Sequence, residues 1–359
     1  MTAFHGDAAA IESVILGFAN RQYRWTELEV NGRSTSSWAH HGVAVADDWT
    51  VITGHPDGDR LVFTPLASGS SFTVSIDVTE CHGVTLVKDD GEERIWIADN
   101  GHKYLPDRPL YGEKRIPGQV IQVGRDGTTY RRLDPPMIGD RAEAGWAPCA
   151  IAVDEFMVGG NGMIWVADGY GHSLVHGFAA DGDLLITLDG AASGKKFDVP
   201  HGIIIDRRRP TPELVVADRG NTRLVAFDLT GRFLRTFGGH LLTSPSGLAM
   251  DGDHLLVTEL YGGLVAFDIN DHNVGRVPQL SDHSRPGWPN RIVDNRLIAP
   301  ALSPGSLNSP HGIAVTRDGM IVLTEWCIGG RISLLTPIAT DSYTTSSSAS
   351  VEEDVRIVP

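Results

Sequence analysis

The segment that decides the fold is Val199-Pro-His-Gly-Ile-Ile-Ile-Asp206, which continues after a short insert as Glu213-Leu-Val-Val-Ala-Asp-Arg-Gly-Asn-Thr-Arg-Leu224. Its two runs of β-branched or apolar residues, bounded by Gly, Pro and charged residues, predict two buried strands joined as a β-hairpin. His201 begins the first strand, and Arg219 follows the second. Because the strands are antiparallel, we expect both polar side chains at the same end of the hairpin, where they could share a site.

The same sequence pattern recurs five more times along the chain. Each copy pairs a first apolar strand with a second one, and several copies continue into third and fourth strands. Successive copies lie 41 to 67 residues apart. Four-stranded units that repeat at roughly 40 to 50 residues are typical of propeller blades. The sequence therefore predicts an all-β, six-bladed β-propeller with the excess residues in loops. The six first strands begin near His41, His82, Cys149, His201, Ser246 and His311.

The two ends of the chain are predicted to close the propeller. The last copy supplies only three strands, through residues 331–335, so we expect residues 26–30 to pair with it as the outer strand and leave no open edge. Residues 1–20 are predicted to be an arm or a short helix, and residues 21–338 the propeller. Residues 339–359 are polar and of low complexity, which predicts a disordered tail.

Composition excludes several classes of partner. The 359-residue chain has a formal net charge of −15, and its only basic run is the three arginines at 207–209, so we expect no nucleic-acid partner. No stretch has the roughly 20 apolar residues of a membrane span, and no signal peptide is recognisable. The three cysteines have no paired spacing, which predicts reduced thiols. We therefore expect a cytoplasmic protein. The oligomeric state has no signature in the sequence.

Histidines occupy alternate blades at one position of the repeat. In a propeller the first strand of every blade lines the central channel, so His82, His201 and His311 should form a three-fold ring around the axis. A single His-Gly pair is commonly a turn residue, but three on alternate blades predict a site for a divalent metal of the zinc type, with a fourth position open. His41 is the extra member of the ring, either as a pocket residue or as a structural one.

Four stretches of the repeat share short motifs: Cys81-His82-Gly83-Val with Trp96-Ile-Ala-Asp99, Ala167-Asp168-Gly169-Tyr170, Val199-Pro-His201-Gly with Ala217-Asp218-Arg219, and Ser309-Pro-His311-Gly-Ile. These motifs resemble a known family, the NHL-type propeller of peptidyl-α-hydroxyglycine α-amidating lyase. The resemblance covers about residues 80 to 335 and rests on four stretches. It implies that His82, His201 and His311 hold zinc, that Tyr170 is the catalytic base and that Arg219 works beside it. The family's structural calcium uses an aspartate directly after the third histidine, where this chain has Gly312, so calcium is not expected.

Three functions follow as hypotheses, and in the first two the protein acts on a small molecule or short peptide. The first is a zinc-dependent lyase that cleaves the C–N bond of an α-hydroxyglycine-like carbinolamide to give an amide and glyoxylate. The second is a metal-dependent hydrolase or lyase for another small metabolite, since one fold hosts many chemistries. The third, a non-enzymatic NHL interaction platform, is disfavoured by the acidic charge and the histidine ring.

Long segments at 102–117, 134–147 and 270–308 are predicted to be loops that shape the pocket. A recurring carboxylate at the end of the second strands is predicted to be structural (Asp99, Asp168, Asp218, Glu259, Glu325).

Overall fold

A computed structural model describes residues 14–30, 36–89, 91–107, 109–137, 145–279 and 282–338. Over these ranges the chain forms 29 β-strands and three single-turn 3₁₀ helices, Phe156–Val158, Ala191–Ser193 and Arg219–Asn221, and no α-helix. None of the helical turns described is long and apolar enough to cross a membrane. The prediction of an all-β fold is confirmed.

Six sheets form the six blades of a propeller, as predicted. The chain begins with β1 (Val14–Phe18) and β2 (Arg21–Glu27), which belong to the last blade. Blade 1 contains β3 (Val43–Val45), β4 (Thr50–Gly54), β5 (Arg60–Pro65) and β6 (Phe72–Ser75). Blade 2 contains β7 (Gly83–Asp89), β8 (Glu92–Asp99), β11 (Gln119–Val123) and β12 (Thr129–Leu133), and a separate hairpin of β9 (His102–Asp107) and β10 (Leu110–Arg115) is inserted in it.

The remaining blades repeat this order. Blade 3 contains β13 (Ala150–Val153), β14 (Ile164–Asp168), β15 (Leu174–Phe178) and β16 (Leu184–Leu188). Blade 4 contains β17 (Pro200–Asp206), β18 (Glu213–Asp218), β19 (Arg223–Asp228) and β20 (Phe233–Phe237). Blade 5 contains β21 (Pro245–Asp251), β22 (His254–Glu259), β23 (Gly263–Phe267) and β24 (Asn273–Val277), and is followed by a hairpin of β25 (Arg291–Val293) and β26 (Arg296–Ile298). Blade 6 contains β27 (Pro310–Val315), β28 (Ile321–Glu325) and β29 (Ile332–Pro337).

The second strand of each blade reads as a continuous apolar run because it is covered on both faces. In β18, every residue is buried, and Leu214, Val216 and Ala217 have no exposed surface. Neighbouring blades pack face to face, and the resulting clusters join residues of two blades, as in the contact of blade 3 with blade 4. The outer strand β16 is largely exposed. In blade 3, for example, burial is greatest in the second strand, β14, smaller in the first strand, β13, and smallest in the outer strand.

Closure by an N-terminal strand is confirmed, but its position differs from the prediction. The pairing strand is β2, in which Trp25 lies opposite Leu335; it shares Thr26 and Glu27 with the predicted residues 26–30 but begins at Arg21. Tyr23 and Trp25 alternate along β2 and are almost fully buried, so two aromatic side chains outweigh the smaller apolar residues that follow. β1 then adds a fifth strand where an arm or helix was predicted, with Val14 and Phe18 packed on the core of this blade. Residues 1–13 and the predicted tail lie outside the described residues.

Two of the predicted loops contain regular structure. Residues 102–117 include the β9–β10 hairpin, and residues 270–308 include β24 and the β25–β26 hairpin. The backbone N–H of Leu297 donates to the carbonyl of Pro109 at 3.1 Å and joins the two hairpins. Part of 134–147 lies outside the described residues.

The recurring carboxylates are structural, as predicted. Each accepts a backbone N–H from the segment that leads into the first strand of its own blade, and so fixes the point at which that strand enters the channel. The donors are Thr79 and Glu80 to Asp99, Ala147 to Asp168, Asp198 to Asp218, Thr243 and Ser244 to Glu259, and Asn308 to Glu325.

Candidate metal centre and adjoining pocket

The three predicted ligands converge on the propeller axis. His82, His201 and His311 are buried, and together with His40 they present ring nitrogens that all lie within 4.8 Å of one another. The Nε2 atoms of His82 and His311 are 3.2 Å apart. The ring spacing read from the repeat therefore corresponds to a real cluster of imidazoles.

A backbone carbonyl fixes the tautomer of each of these three rings. In every case Nδ1 contacts the carbonyl of the residue at the same position in the next blade. Because a carbonyl can only accept, Nδ1 carries the proton and Nε2 presents its lone pair to the other rings. Three lone pairs directed at one point repel each other unless a cation lies between them, so the donor set fits a divalent metal. The contacts are His82 to Cys149 at 2.7 Å, His201 to Ser246 at 3.1 Å and His311 to His41 at 3.4 Å.

The glycines after His82 and His201 allow this close approach between blades. A Cβ atom on Gly83 would lie 2.6 Å from the carbonyl oxygen of Cys149, and one on Gly202 would lie 2.2 Å from that of Ser246. These are the oxygens that the neighbouring histidines bind. Glycine is therefore required here to bring the acceptor within reach of the imidazole.

Burial keeps the imidazoles neutral. Desolvation lowers the pKa of His82 to about 3, and the charge of Arg219 adds to this effect. The pKa values of His201 and His311 also lie well below the ordinary value, because of burial first and then the nearby Arg219 and the other imidazoles, next to which a second charge is unfavourable. Neutral imidazole is the form that binds metal ions.

The fourth imidazole comes from His40 and not from His41, the residue that the repeat places in the ring. His40 borders the adjoining pocket, and its ring centroid lies 4.4 Å from that of His82 and 4.7 Å from that of His311. The side chain of His41 is outside the group of converging nitrogens, although its backbone carbonyl accepts from His311 and, at 2.9 Å, from the hydroxyl of Thr324. Sequence reasoning missed His40; the only signal for it is the doublet of adjacent histidines.

Tyr170 and Arg219 lie beside the histidines, where the resemblance implies they should. The Tyr170 hydroxyl is 3.3 Å from Nε2 of His201 and 3.4 Å from Nε2 of His40, and Nη2 of Arg219 donates to it at 3.0 Å. The guanidinium also lies over the phenol ring, 5.1 Å from its centroid. Burial raises the pKa of Tyr170 to about 12, against the opposing effect of Arg219. The Tyr170 hydroxyl is therefore protonated at neutral pH.

A pocket of about 370 Å³ adjoins the histidines. Most of its wall comes from the loop that joins the second strand to the third in blades 3 to 6, directly after the structural carboxylate. The same loop contributes Tyr170 from blade 3, Arg219 from blade 4, Tyr261 from blade 5 and Trp326 from blade 6. The full lining is His40, Tyr170, Val199, Arg219, Gly220, Thr222, Thr243, Ser244, Leu260, Tyr261 and Trp326.

Comparison with known proteins identifies the fold. No protein-family model and no curated protein matches the chain. A streptogramin B lyase structure is 16% identical with a TM-score of 0.56 and covers 88% of this chain and 98% of its own. Virginiamycin B lyase from Staphylococcus aureus is 14% identical with a TM-score of 0.53, covering 88% and 100%. A gluconolactonase from Xanthomonas campestris is 14% identical with a TM-score of 0.57, covering 88% and 90%. These similarities show the propeller fold and do not single out the amidating-lyase family.

Proposed function

We propose that the chain is a metal-dependent lyase, with zinc as the ion, that cleaves the C–N bond of an α-hydroxyglycine-like carbinolamide. The observation that carries the proposal is the convergence of three imidazoles with fixed tautomers beside the Tyr170–Arg219 pair. The pocket next to them has the size of a small-molecule site. The names of the solved neighbours denote enzymes, two lyases among them, which agrees with catalysis on this fold.

The reaction would convert an N-acyl-α-hydroxyglycine into an amide and glyoxylate. The carbinol hydroxyl loses its proton, and the electron pair of that O–H bond forms the aldehyde C=O. The C–N bond breaks at the same carbon, and the amide nitrogen gains a proton. No oxidant or reductant is consumed, so a base, an acid and a group that stabilises the developing alkoxide suffice.

His82, His201 and His311 would hold the ion. Imidazole nitrogens suit zinc and other divalent transition metals, whereas calcium requires oxygen ligands. A side chain at Gly312 would begin 2.6 Å from the Thr324 hydroxyl, which leaves no room for the aspartate that binds calcium in the family. When bound, the ion supplies a Lewis acid for the carbinol oxygen and a positive charge that lowers the pKa of nearby hydroxyls.

Tyr170 would accept the proton of the carbinol hydroxyl, and Arg219 would hold the Tyr170 side chain in position. With a pKa of about 12, the phenol costs about 7 kcal/mol to deprotonate at pH 7, at about 1.36 kcal/mol per pKa unit. This cost already includes the hydrogen bond from Nη2 of Arg219, which stabilises the phenolate over the phenol. The positive charge of a bound ion would lower the cost further. The same bond fixes the hydroxyl close to His201 and His40, at the border of the pocket.

The second candidate is a hydrolase for a small metabolite at the same site. It is favoured by the neighbour named as a gluconolactonase, which shares the fold. The two candidates differ in their products: a lyase releases glyoxylate without adding water, whereas a lactonase opens a ring by adding water.

Metal analysis followed by product analysis tests the proposal. We expect close to one equivalent of zinc in the purified protein, and glyoxylate from N-acyl-α-hydroxyglycine substrates that stops on chelation and returns with zinc. His272→Ala, at an exposed histidine, is the matched control for His201→Ala. Ring-opened hydroxy acid without glyoxylate would favour the hydrolase. Less than about a tenth of an equivalent of transition metal would favour a non-enzymatic platform.

A further inference from the structure

The pocket beside the histidines contains one cation without a matching anion. Arg219 lines the pocket, and none of the other lining residues is an Asp or Glu. One amino group, Nη2, donates to Tyr170, but Nη1 is buried and has no hydrogen-bond partner among the described residues. A buried guanidinium with an unpaired N–H group is costly unless a ligand pairs with it. The planar fork of arginine suits a carboxylate.

An aromatic wall forms another part of the same pocket. Tyr261 and Trp326 line it, and the ring of Trp288 contacts both, at centroid distances of 5.1 Å and 6.0 Å. His283 stacks on Tyr261 at 4.9 Å, and Trp38 lies 5.3 Å from Trp326. These ring contacts restrict the side chains of Tyr261 and Trp326, which therefore lose little further freedom when a ligand binds. The wall is therefore pre-organised for a flat apolar group.

We infer that the pocket binds small carboxylates that carry an aromatic acyl group, with the carboxylate on Nη1 of Arg219 and the ring against Tyr261 and Trp326. The inference rests on the proposed function and narrows its substrate to aromatic N-acyl-α-hydroxyglycines. The pocket volume of about 370 Å³ fits one such molecule. The carboxylate and the aromatic group are recognised by different residues, so the two contributions are separable by mutation.

Equilibrium binding of three non-reactive probes to the full-length protein tests the inference by calorimetry. Benzoylglycine carries both groups, acetylglycine lacks the ring, and the methyl ester of benzoylglycine lacks the charge. We expect benzoylglycine to bind at least about tenfold more tightly than either of the other two. Trp326→Leu should reduce the preference for the ring to below about threefold and leave the preference for the charge. Arg219→Gln should reduce the preference for the charged probe to below about threefold and leave the preference for the ring unchanged.

Tyr130→Leu is the matched control, because Tyr130 is an exposed ring on the outer strand of blade 2 and should change neither preference. Thermal unfolding of each variant shows whether it is folded. Equal binding of the three probes, no binding of benzoylglycine at millimolar concentration, or preferences that persist in folded Trp326→Leu and Arg219→Gln would overturn the inference.

None of the probes has a carbinol hydroxyl, so their binding does not depend on turnover. If the ring and charge preferences hold but α-hydroxybenzoylglycine releases no glyoxylate, the proposed reaction fails and the binding inference stands. If glyoxylate is released with equal kcat/KM from benzoyl and acetyl substrates, the reaction stands and the inference fails.

Discussion

The even-numbered and odd-numbered blades contribute different groups at the same position of the repeat. Blades 2, 4 and 6 supply the imidazoles of His82, His201 and His311. Blades 1, 3 and 5 supply backbone carbonyls, each of which accepts from the Nδ1 of a preceding blade. The donors and acceptors alternate around the axis, with blade 6 bonded to blade 1, so the contacts form a closed set of three pairs.

The even blades therefore act through a particular side chain, and the odd blades act through the position of a backbone carbonyl. At the even positions the imidazole itself is needed. At the odd positions any residue offers a carbonyl, which explains why they hold three unrelated residues, His41, Cys149 and Ser246. Their side chains should matter little, whereas the path of the backbone next to each glycine should matter a great deal. The following predictions test this division.

Removal of an even-blade imidazole should have the largest effect. His201→Ala deletes one of three ligands, and we expect turnover to fall by at least about 10³-fold, because Lewis-acid stabilisation is worth several kcal/mol. Elemental analysis of the purified variant should show that zinc is lost in parallel. His272→Ala should retain both zinc and activity. A folded His201→Ala protein with full zinc would contradict the assignment of the ligands.

Changes at the pocket residues should reduce turnover without removing the metal. Tyr170→Phe removes the hydroxyl that lies between His201 and Arg219. Arg219→Ala removes the guanidinium that donates a hydrogen bond to this hydroxyl. We expect kcat to fall by about 100- to 1,000-fold in each, as is typical when a proton-transfer group is lost. Zinc content measured on the same samples should stay near that of the wild type. Unchanged turnover in both variants would exclude this pair from the mechanism.

The sequence predicted the architecture and the three even-blade histidines because both recur at fixed positions of the sequence repeat. A recurring apolar pair of strands identifies the blade, and the residue at its start identifies the ring. His40 was missed because its position lies one residue before the ring, where the other blades give no guide. The acceptor carbonyls could not be predicted, since a backbone group has no signature in the residue type.

The aromatic wall was also beyond sequence reasoning, for a different reason. Its members come from distant parts of the chain, including Trp38, Tyr261 and Trp326, and meet only when the blades close. One signal was available: Tyr170, Arg219, Tyr261 and Trp326 all follow a structural carboxylate by one or two residues. Alignment of the copies on that carboxylate identifies the loop that faces the pocket. The closing strand begins earlier than predicted because the buried aromatic residues Tyr23 and Trp25 lie before residue 26.

A methyl group on an even-blade glycine should have an intermediate effect. In Gly202→Ala the new Cβ would lie 2.2 Å from the carbonyl oxygen of Ser246, so this acceptor must move away from His201. Loss of such an outer contact typically lowers metal affinity by about 10- to 100-fold. Competition with a zinc chelator measures the change. Gly17→Ala is the control, since no atom lies within 4 Å of its Cβ position. Equal zinc affinities in the two variants would show that the carbonyl contact does not support the ligand.

Substitution of an odd-blade side chain should have the smallest effect. Ser246→Ala keeps the carbonyl that His201 binds and removes only the hydroxyl, which donates to the carbonyl of Ser244 at 3.2 Å. That carbonyl retains the N–H of Leu260 as a donor, so we expect a stability loss of about 1 kcal/mol in urea unfolding. Zinc affinity should change by less than about threefold, below the range seen when an outer contact is lost. A tenfold loss of affinity without a change in stability would mean that the odd blades act through their side chains, and the division between even and odd blades would fail.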